Sequence, residues 1–510
     1  MSLMQLRSLL AMSVALAAVM PAAAKGPSAQ VKIDTGTLAG AAEGKLLVFK
    51  GIPYAAPPVG PLRWKAPQPA PKWTGVRDAN KFGFACPQDD AHTEPWAQVG
   101  PKSEDCLFLN VWRPAKPGKY PVMLWIHGGG FTYGAAGVPL YDGTALANRG
   151  AVIVTINYRM GRLGFFAHPG LTKEDPNGLL GNYGIMDQIA ALQWVKRNIA
   201  NFGGDAGNVT IFGESAGAGS VQILMSSPAS RGLFQKAISE SGAGGSVLPP
   251  IRGGAINAEM LGTMWTNSLG LKDATADQLR AIPLADVIKN GRSFPFIDGK
   301  VVTRSPGDPF YRGEQMKIPL MIGGNSNESS LGGMTEPAAK GLLGEQFGPL
   351  LDGYIAMTGK PRDKAVIDLA EDVGFVLPSF AIADKQAAVN PNTYVYYFDQ
   401  VPVDQRAGAA GTDHGGEVEY VFGTKPVEHA WDARDAEVSK LMGDYWVNFA
   451  RTGNPNGGGA PNWPAVTSLP TTYLYVGPKT QPRRLTPIQE QAKAATMAFS
   501  VSKWATITVR

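Results

Sequence analysis

The chain has 510 residues, 17% of them charged, with 62 glycines, 40 prolines and a formal net charge of +5. That length suits one large α/β unit with insertions or two to three smaller domains, and the composition is that of a loop-rich globular protein, not a disordered or fibrous one. No Lys/Arg run and no basic–aromatic stripe stands out, which argues against nucleic acid as a partner.

At the N-terminus, Arg7 precedes an apolar stretch from Leu9 to Met20, and Ala22-Ala23-Ala24 offers a small-residue cleavage site. Residues 1–24 therefore read as a signal peptide, with an uncleaved anchor as the competing reading. The apolar run is too short for a comfortable span, and no later stretch is long enough. The expectation is an exported chain, periplasmic or secreted, that starts near Lys25 and has no integral membrane segment. Losing Arg7 brings the net charge to about +4. The only cysteines are Cys86 and Cys106. In an exported protein such a pair reads as a disulfide closing a loop of about 20 residues, worth roughly 3 kcal/mol in the chain-entropy picture. Two free buried thiols are the alternative. No histidine lies at ligand spacing from both, so no metal site is expected.

In chain order, strand-like pieces at Gln30–Ile33 and Leu46–Phe49 flank a Thr35-Gly36 turn. The proline-dense stretch Gly51–Gly60, followed by Leu62-Arg63-Trp64, reads as a surface loop. Leu107 to Trp112 alternates like a strand. Pro121–Ile126 and Ala151–Ile156 are short apolar runs that fit buried parallel strands, and they end in His127-Gly128-Gly129-Gly130-Phe131 and Asn157-Tyr158-Arg159. Tyr183 to Ala200 keeps helical spacing through Ile185, Ile189, Leu192, Val195 and Ile199. Asn208–Phe212 is a strand that runs into Gly213-Glu214-Ser215-Ala216-Gly217, and Ser220–Met225 is helical. Lys236–Gly242, Ile318–Ile322 and Thr393–Phe398 are further strand candidates. Residues 251–315 give weak, mixed signals and 335–390 look helical; both read as insert or cap segments of a single domain spanning 25–510. Asp435 to Arg451 is a helix with Val438, Leu441, Met442, Tyr445, Trp446 and Phe449 on one face, Asp435 as its N-cap and Gly453 as its stop. Strands alternating with helices argue for an α/β fold with a large, mostly parallel central sheet and helices on both faces.

Strand, tight turn and helix around Gly213–Gly217 are the context of a G-x-S-x-G nucleophile elbow, which makes Ser215 the candidate nucleophile. A serine hydroxyl needs a base and an acid behind it. Of the five histidines, His92 lies between the cysteines, His127 in a Gly-rich turn, His168 before Pro169 and His429 in a loop before Trp431. His414, in Thr412-Asp413-His414-Gly415-Gly416-Glu417, follows a strand where the last triad member belongs. The acid should lie between them at a strand end, and Glu328 does; Asp413 is a rival on paper, but side chains adjacent in a loop usually diverge. Gly128-Gly129-Gly130 suits an oxyanion hole, since bare backbone lets N–H groups approach a ligand.

These stretches resemble the type-B carboxylesterases, a family that includes cholinesterases and bacterial nitrobenzyl-esterase-like enzymes. Phe202-Gly203-Gly204-Asp205-Ala206-Gly207-Asn208-Val209-Thr210-Ile211-Phe212-Gly213-Glu214-Ser215-Ala216-Gly217 and Glu104-Asp105-Cys106-Leu107-Phe108-Leu109-Asn110-Val111 match its motifs without a break, and the similarity runs from about residue 30 to the C-terminus. The resemblance implies the α/β-hydrolase fold and ester hydrolysis through an acyl-enzyme. In it Ser215 is the nucleophile, His414 the base and Glu328 the acid. It implies oxyanion donation by the amides of Gly129, Gly130 and Ala216, a Cys86–Cys106 disulfide, an Arg63–Glu104 ion pair and a buried polar pair, Glu214 and Ser241. It implies a small-molecule ester as substrate and no cofactor. Trp96 stands where cholinesterases carry a choline-binding tryptophan, but a positive net charge does not steer cations, and a rim or packing role is the plainer reading. Lipase-like activity, choline-ester hydrolysis and a non-catalytic adhesion role on the same fold are the alternatives.

Overall fold

The computed structural model describes residues 29–89, 99–174, 180–425 and 429–507. The proposed signal peptide, His92 and Trp96 lie outside the described residues.

Among the described residues, thirteen strands form the sheet. Its centre is parallel: Val152–Ile156, Tyr120–Ile126, Gly204–Glu214, Lys236–Glu240, Leu320–Asn325, Thr393–Phe398 and Thr472–Val476 lie side by side in that order. Both flanks are antiparallel. Phe108–Pro114 and the meander Ala29–Ile33, Gly36–Glu43, Leu46–Pro53 extend one side, and Gln481–Arg484 closes the other.

The apolar runs are explained by burial on both faces. In Tyr120–Ile126, Val122, Leu124 and Ile126 join one core while Met123 and Trp125 join the other. Helix Tyr183–Asn198 packs into the first core through Ile185, Ile189, Leu192 and Val195. Helix Ala433–Thr452 packs into the second through Val438, Met442, Tyr445, Trp446 and Phe449. Its stop is Gly453, left-handed at φ 81°, as its sequence requires. Its start differs from the sequence reading: Asp432 is the N-cap, and Asp435 is the third helical residue that completes a capping box with it. Asp435 is also held by Gln400, Tyr420 and Arg406, so tertiary contacts fixed its place. The segment 251–315 forms four short helices, and 335–390 forms Glu336–Leu343, Phe347–Thr358, Arg362–Glu371 and Leu377–Ala387. Helix Pro487–Trp504 lies against this second insertion.

The cysteines are bonded, Cys86 to Cys106, with Cα atoms 4.9 Å apart. Arg63 grips Glu104 with two hydrogen bonds, of 2.7 and 2.5 Å, and also donates to the carbonyls of Arg280 and Ile282. That guanidinium thus ties the disulfide loop to the 251–315 insertion. The deepest ion pair is Arg159–Asp187, joined at 2.8 Å through both Nε and Nη2 with both side chains buried. Removing one partner of such a pair strands the other charge. Arg159→Met is therefore expected to cost about 3–5 kcal/mol, read from the urea midpoint. The double variant Arg159→Met/Asp187→Leu should recover most of that loss.

Candidate active site

The parallel strands deliver the chemistry-bearing residues at their C-terminal ends, where open α/β sheets place their sites. Ile126 leads into His127, Glu214 into Ser215, Glu240 into Ser241 and Asn325 into Glu328.

Ser215 sits between strand Gly204–Glu214 and helix Ala216–Leu224 with φ 54° and ψ −118°, a conformation that L-residues resist. It is held there because its N–H donates to the Glu240 carbonyl at 2.8 Å and its carbonyl accepts from Gly219 at 2.8 Å. The flanking glycines are required by space: a Cβ on Gly213 or Gly217 would run into the Ile126 carbonyl oxygen. Gly128 closes on the serine from the other side, where a Cβ would meet the Glu214 carboxylate and, at 3.2 Å, the Ser215 Cβ. Gly129 and Gly130 have φ of 98° and 58°. Among the described residues, the amides of Gly129, Gly130 and Ala216 have no hydrogen-bond acceptor.

His414 and Glu328 meet: imidazole Nδ1 lies 2.5 Å from Glu328 Oε2. Glu328 is fully buried, and its other oxygen accepts from the Ser241 hydroxyl at 2.6 Å and the Asn325 N–H at 2.8 Å. The two loops are stitched together, with Asn327 N–H on the Thr412 carbonyl at 2.9 Å and His414 N–H on Ser330 Oγ at 2.9 Å. The rival acid, Asp413, points away, exposed, and accepts from Asn327 Nδ2 at 2.6 Å. On the far side of the ring, Nε2 stands 2.9 Å from Glu214 Oε1, out of line for a hydrogen bond. Glu214 and Ser241, implied as one polar pair, thus serve different partners: one faces the imidazole and the other the acid. Burial alone lowers the His414 pKa, but the two carboxylates outweigh it and hold it well above 6.5.

The other described histidines are accounted for. His127 is buried, donates Nδ1–H to the Gly128 carbonyl at 2.9 Å and stacks on Tyr158; burial lowers its pKa to about 4. His168 caps a short helix by accepting from Gly170 N–H at 3.0 Å. His429 pairs with Glu419 at 2.7 Å.

Sequence reasoning assigned no role to two further carboxyls behind the imidazole. Glu417 accepts from Asn325 Nδ2 at 2.5 Å, and burial, then Glu214 and Glu328, push its pKa up to about 8. Glu240 accepts from Trp446 Nε1 at 2.9 Å, and burial, then Glu417, hold it well above 4.5. The signal was present in the three-residue step from His414 to Glu417.

The carboxylesterase-family profile matches residues 27–346 and 351–500. The chain belongs to the carboxylesterase family. It is 38% identical over 448 residues to a fumonisin B1 esterase of Sphingopyxis macrogoltabida, covering 83% of this chain and 82% of that protein. It is 36% identical over 468 residues to a para-nitrobenzyl esterase of Bacillus subtilis (strain 168), covering 85% and 92%. A solved PNB esterase superposes with a TM-score of 0.78 at 32% identity, covering 92% of this chain and all of the other. The α/β-hydrolase fold and carboxylic-ester hydrolase activity follow from these matches. No helix among the described residues is long and apolar enough to cross a membrane.

A raised carboxyl pKa favours folding only while the group keeps its proton. Glu417 therefore costs stability as pH climbs from about 4.5 to about 8, because the unfolded chain releases the proton first. Glu417→Gln removes this dependence. In thermal melts at pH 5, 6.5 and 8, the variant's melting temperature should gain on the wild type at each step.

Proposed function

We propose that this carboxylesterase works through Ser215 as nucleophile, His414 as general base and acid, and Glu328 as the residue that orients the imidazole. The observation that carries the reading is the 2.5 Å contact of His414 Nδ1 with buried Glu328, at the same sheet edge as the strained Ser215 turn. Ser215 attacks the ester carbonyl while His414 Nε2 takes its proton. The carbonyl oxygen becomes an oxyanion, held by the amides of Gly129, Gly130 and Ala216; one such donor is worth about 3–4 kcal/mol. The tetrahedral intermediate collapses, the C–O bond breaks, and His414 returns the proton to the leaving alcohol. Water, deprotonated by the same imidazole, then attacks the acyl-enzyme and frees the acid and Ser215. Glu328, on Nδ1, orients the imidazole and stabilises the imidazolium.

The substrate class is a small carboxylic ester. Residues 1–24 are proposed to direct export, and the Cys86–Cys106 bond supports an oxidising compartment.

Ser215→Ala is expected to abolish turnover of p-nitrophenyl acetate and of a p-nitrobenzyl ester while leaving the melting temperature close to wild type. Activity near the wild-type level would refute the assignment. The pH profile gives a second check. The imidazole must be neutral to act as base, so kcat/KM should rise with pH through an inflection above 6.5. Glu214→Gln takes away a charge that stabilises the imidazolium, so the inflection should move to lower pH.

A further inference from the structure

The second helical insertion is interrupted beside the site. Helix Arg362–Glu371 runs into a π-helical turn over Asp372–Val376 and resumes as Leu377–Ala387. The cause is in the sequence. Pro378 has no N–H to give, and its ring would strike the carbonyl four residues back, that of Gly374. The ladder widens instead: Leu377 N–H reaches the Asp372 carbonyl five residues back, and the Ser379 hydroxyl donates to the Phe375 carbonyl at 3.1 Å. Asp372 anchors the turn by accepting from the Tyr354 hydroxyl at 2.6 Å and from Gln489 at 3.3 Å.

This turn touches both halves of the acid–base pair. Glu371 Oε1 accepts from the N–H of Ser329, the residue after Glu328, at 3.2 Å. The Phe375 ring stands edge-to-face with the His414 imidazole, with centroids 5.4 Å apart and planes at 77°. Phe375 is half-buried where Asp372, Val373 and Val376 are buried. A single bond at Nδ1 leaves an imidazole free to tilt about that bond. A rigid ring against it removes the freedom and keeps water off the same surface.

We propose that the π-helical turn makes Phe375 a positioning residue for His414, with Glu371 fixing the loop that carries Glu328. The inference rests on the proposed role of His414. The titratable groups around the imidazole are Glu214 and Glu328 in contact, Glu417 and Glu240 behind them, and Glu371 and Asp372 on the 335–390 segment.

The test is steady-state kinetics on p-nitrophenyl acetate across pH 5–9, with thermal melts, for Phe375→Ala, Phe375→Leu, Phe375→Tyr, Glu371→Ala, Glu371→Gln and Ser215→Ala. Losing the ring should lower kcat about tenfold or more with KM changed less than about threefold, since small misplacements of a reacting group cost that much. The kcat/KM inflection should move to higher pH, because water admitted to the imidazole eases its charging. Phe375→Tyr keeps the ring and should recover at least about half of kcat. Glu371→Ala should lower kcat in the same way, and Glu371→Gln, which keeps the acceptor, should restore it. Phe375→Leu keeps the volume without the ring, so it carries the test if the alanine variant does not fold. A kcat within twofold of wild type in the folded variant, or a loss confined to KM with an unmoved inflection, overturns the proposal. Ser215→Ala separates the two readings: an inert serine variant with unaffected Phe375 variants sinks only this inference, whereas an active serine variant sinks the hydrolytic assignment.

Discussion

One imidazole held between two buried carboxylates governs the electrostatics of this molecule. Glu328 lies on Nδ1 and Glu214 faces Nε2, and both are shielded from water. Two further carboxyls, Glu240 and Glu417, are packed behind them. Four ionised carboxylates could not share so small a dry volume, because each burial costs several kcal/mol without a partner. The arrangement resolves this by unequal protonation. Burial and their neighbours push Glu417 and Glu240 up, which disfavours their charged forms.

The second constraint is steric. The helix after Ser215 crosses so close to strand Tyr120–Ile126 that neither Gly213 nor Gly217 can carry a side chain. Ser215, between them, takes a positive φ of 54°. The Gly128–Gly130 loop depends in turn on His127, buried and stacked on Tyr158, whose hydroxyl donates to the His127 carbonyl at 2.9 Å. Burial lowers the His127 pKa to about 4, so the ring adds no positive charge to the glycine loop near neutral pH. The turn and the loop are thus one packing unit, built from small residues on one side and a neutral aromatic stack on the other.

What could be read from sequence follows from which interactions are local. The strands were legible because Val122, Leu124 and Ile126 fill one core and Met123 and Trp125 the other, which leaves an unbroken apolar run. Ser215 and His414 stand out as candidates in the sequence because glycine spacing and the scarcity of histidine narrow the choices. Glu328 was preferred over Asp413 for a reason the geometry bears out: neighbours in a loop diverge, and Asp413 turned to Asn327. The start of the Ala433–Thr452 helix was misread at Asp435 because two aspartates three apart both suit a cap, and only the fold showed Asp432 in that position. The C-terminal hairpin and helix Pro487–Trp504 were not read at all. Their strands are short, and the helix draws its stability from the insertion it covers, not from a strong pattern of its own.

The same distinction separates the site's chemistry from its walls. Ser215 and Glu328 follow strand ends and His414 sits on the loop after Thr393–Phe398, and the motif around Ser215 is long. The contacts beside the pair from Glu371 and Phe375 come from 335–390, where helices meet through side chains and the pattern along the chain is weak. Even there, the sequence carries one local instruction. Pro378, inside an otherwise continuous helix, forces the ladder to widen at Gly374, and the widened turn is what meets both the histidine and the loop of its acid. The turn at Pro378 therefore links the 335–390 segment to the histidine–glutamate pair through Phe375 and Glu371.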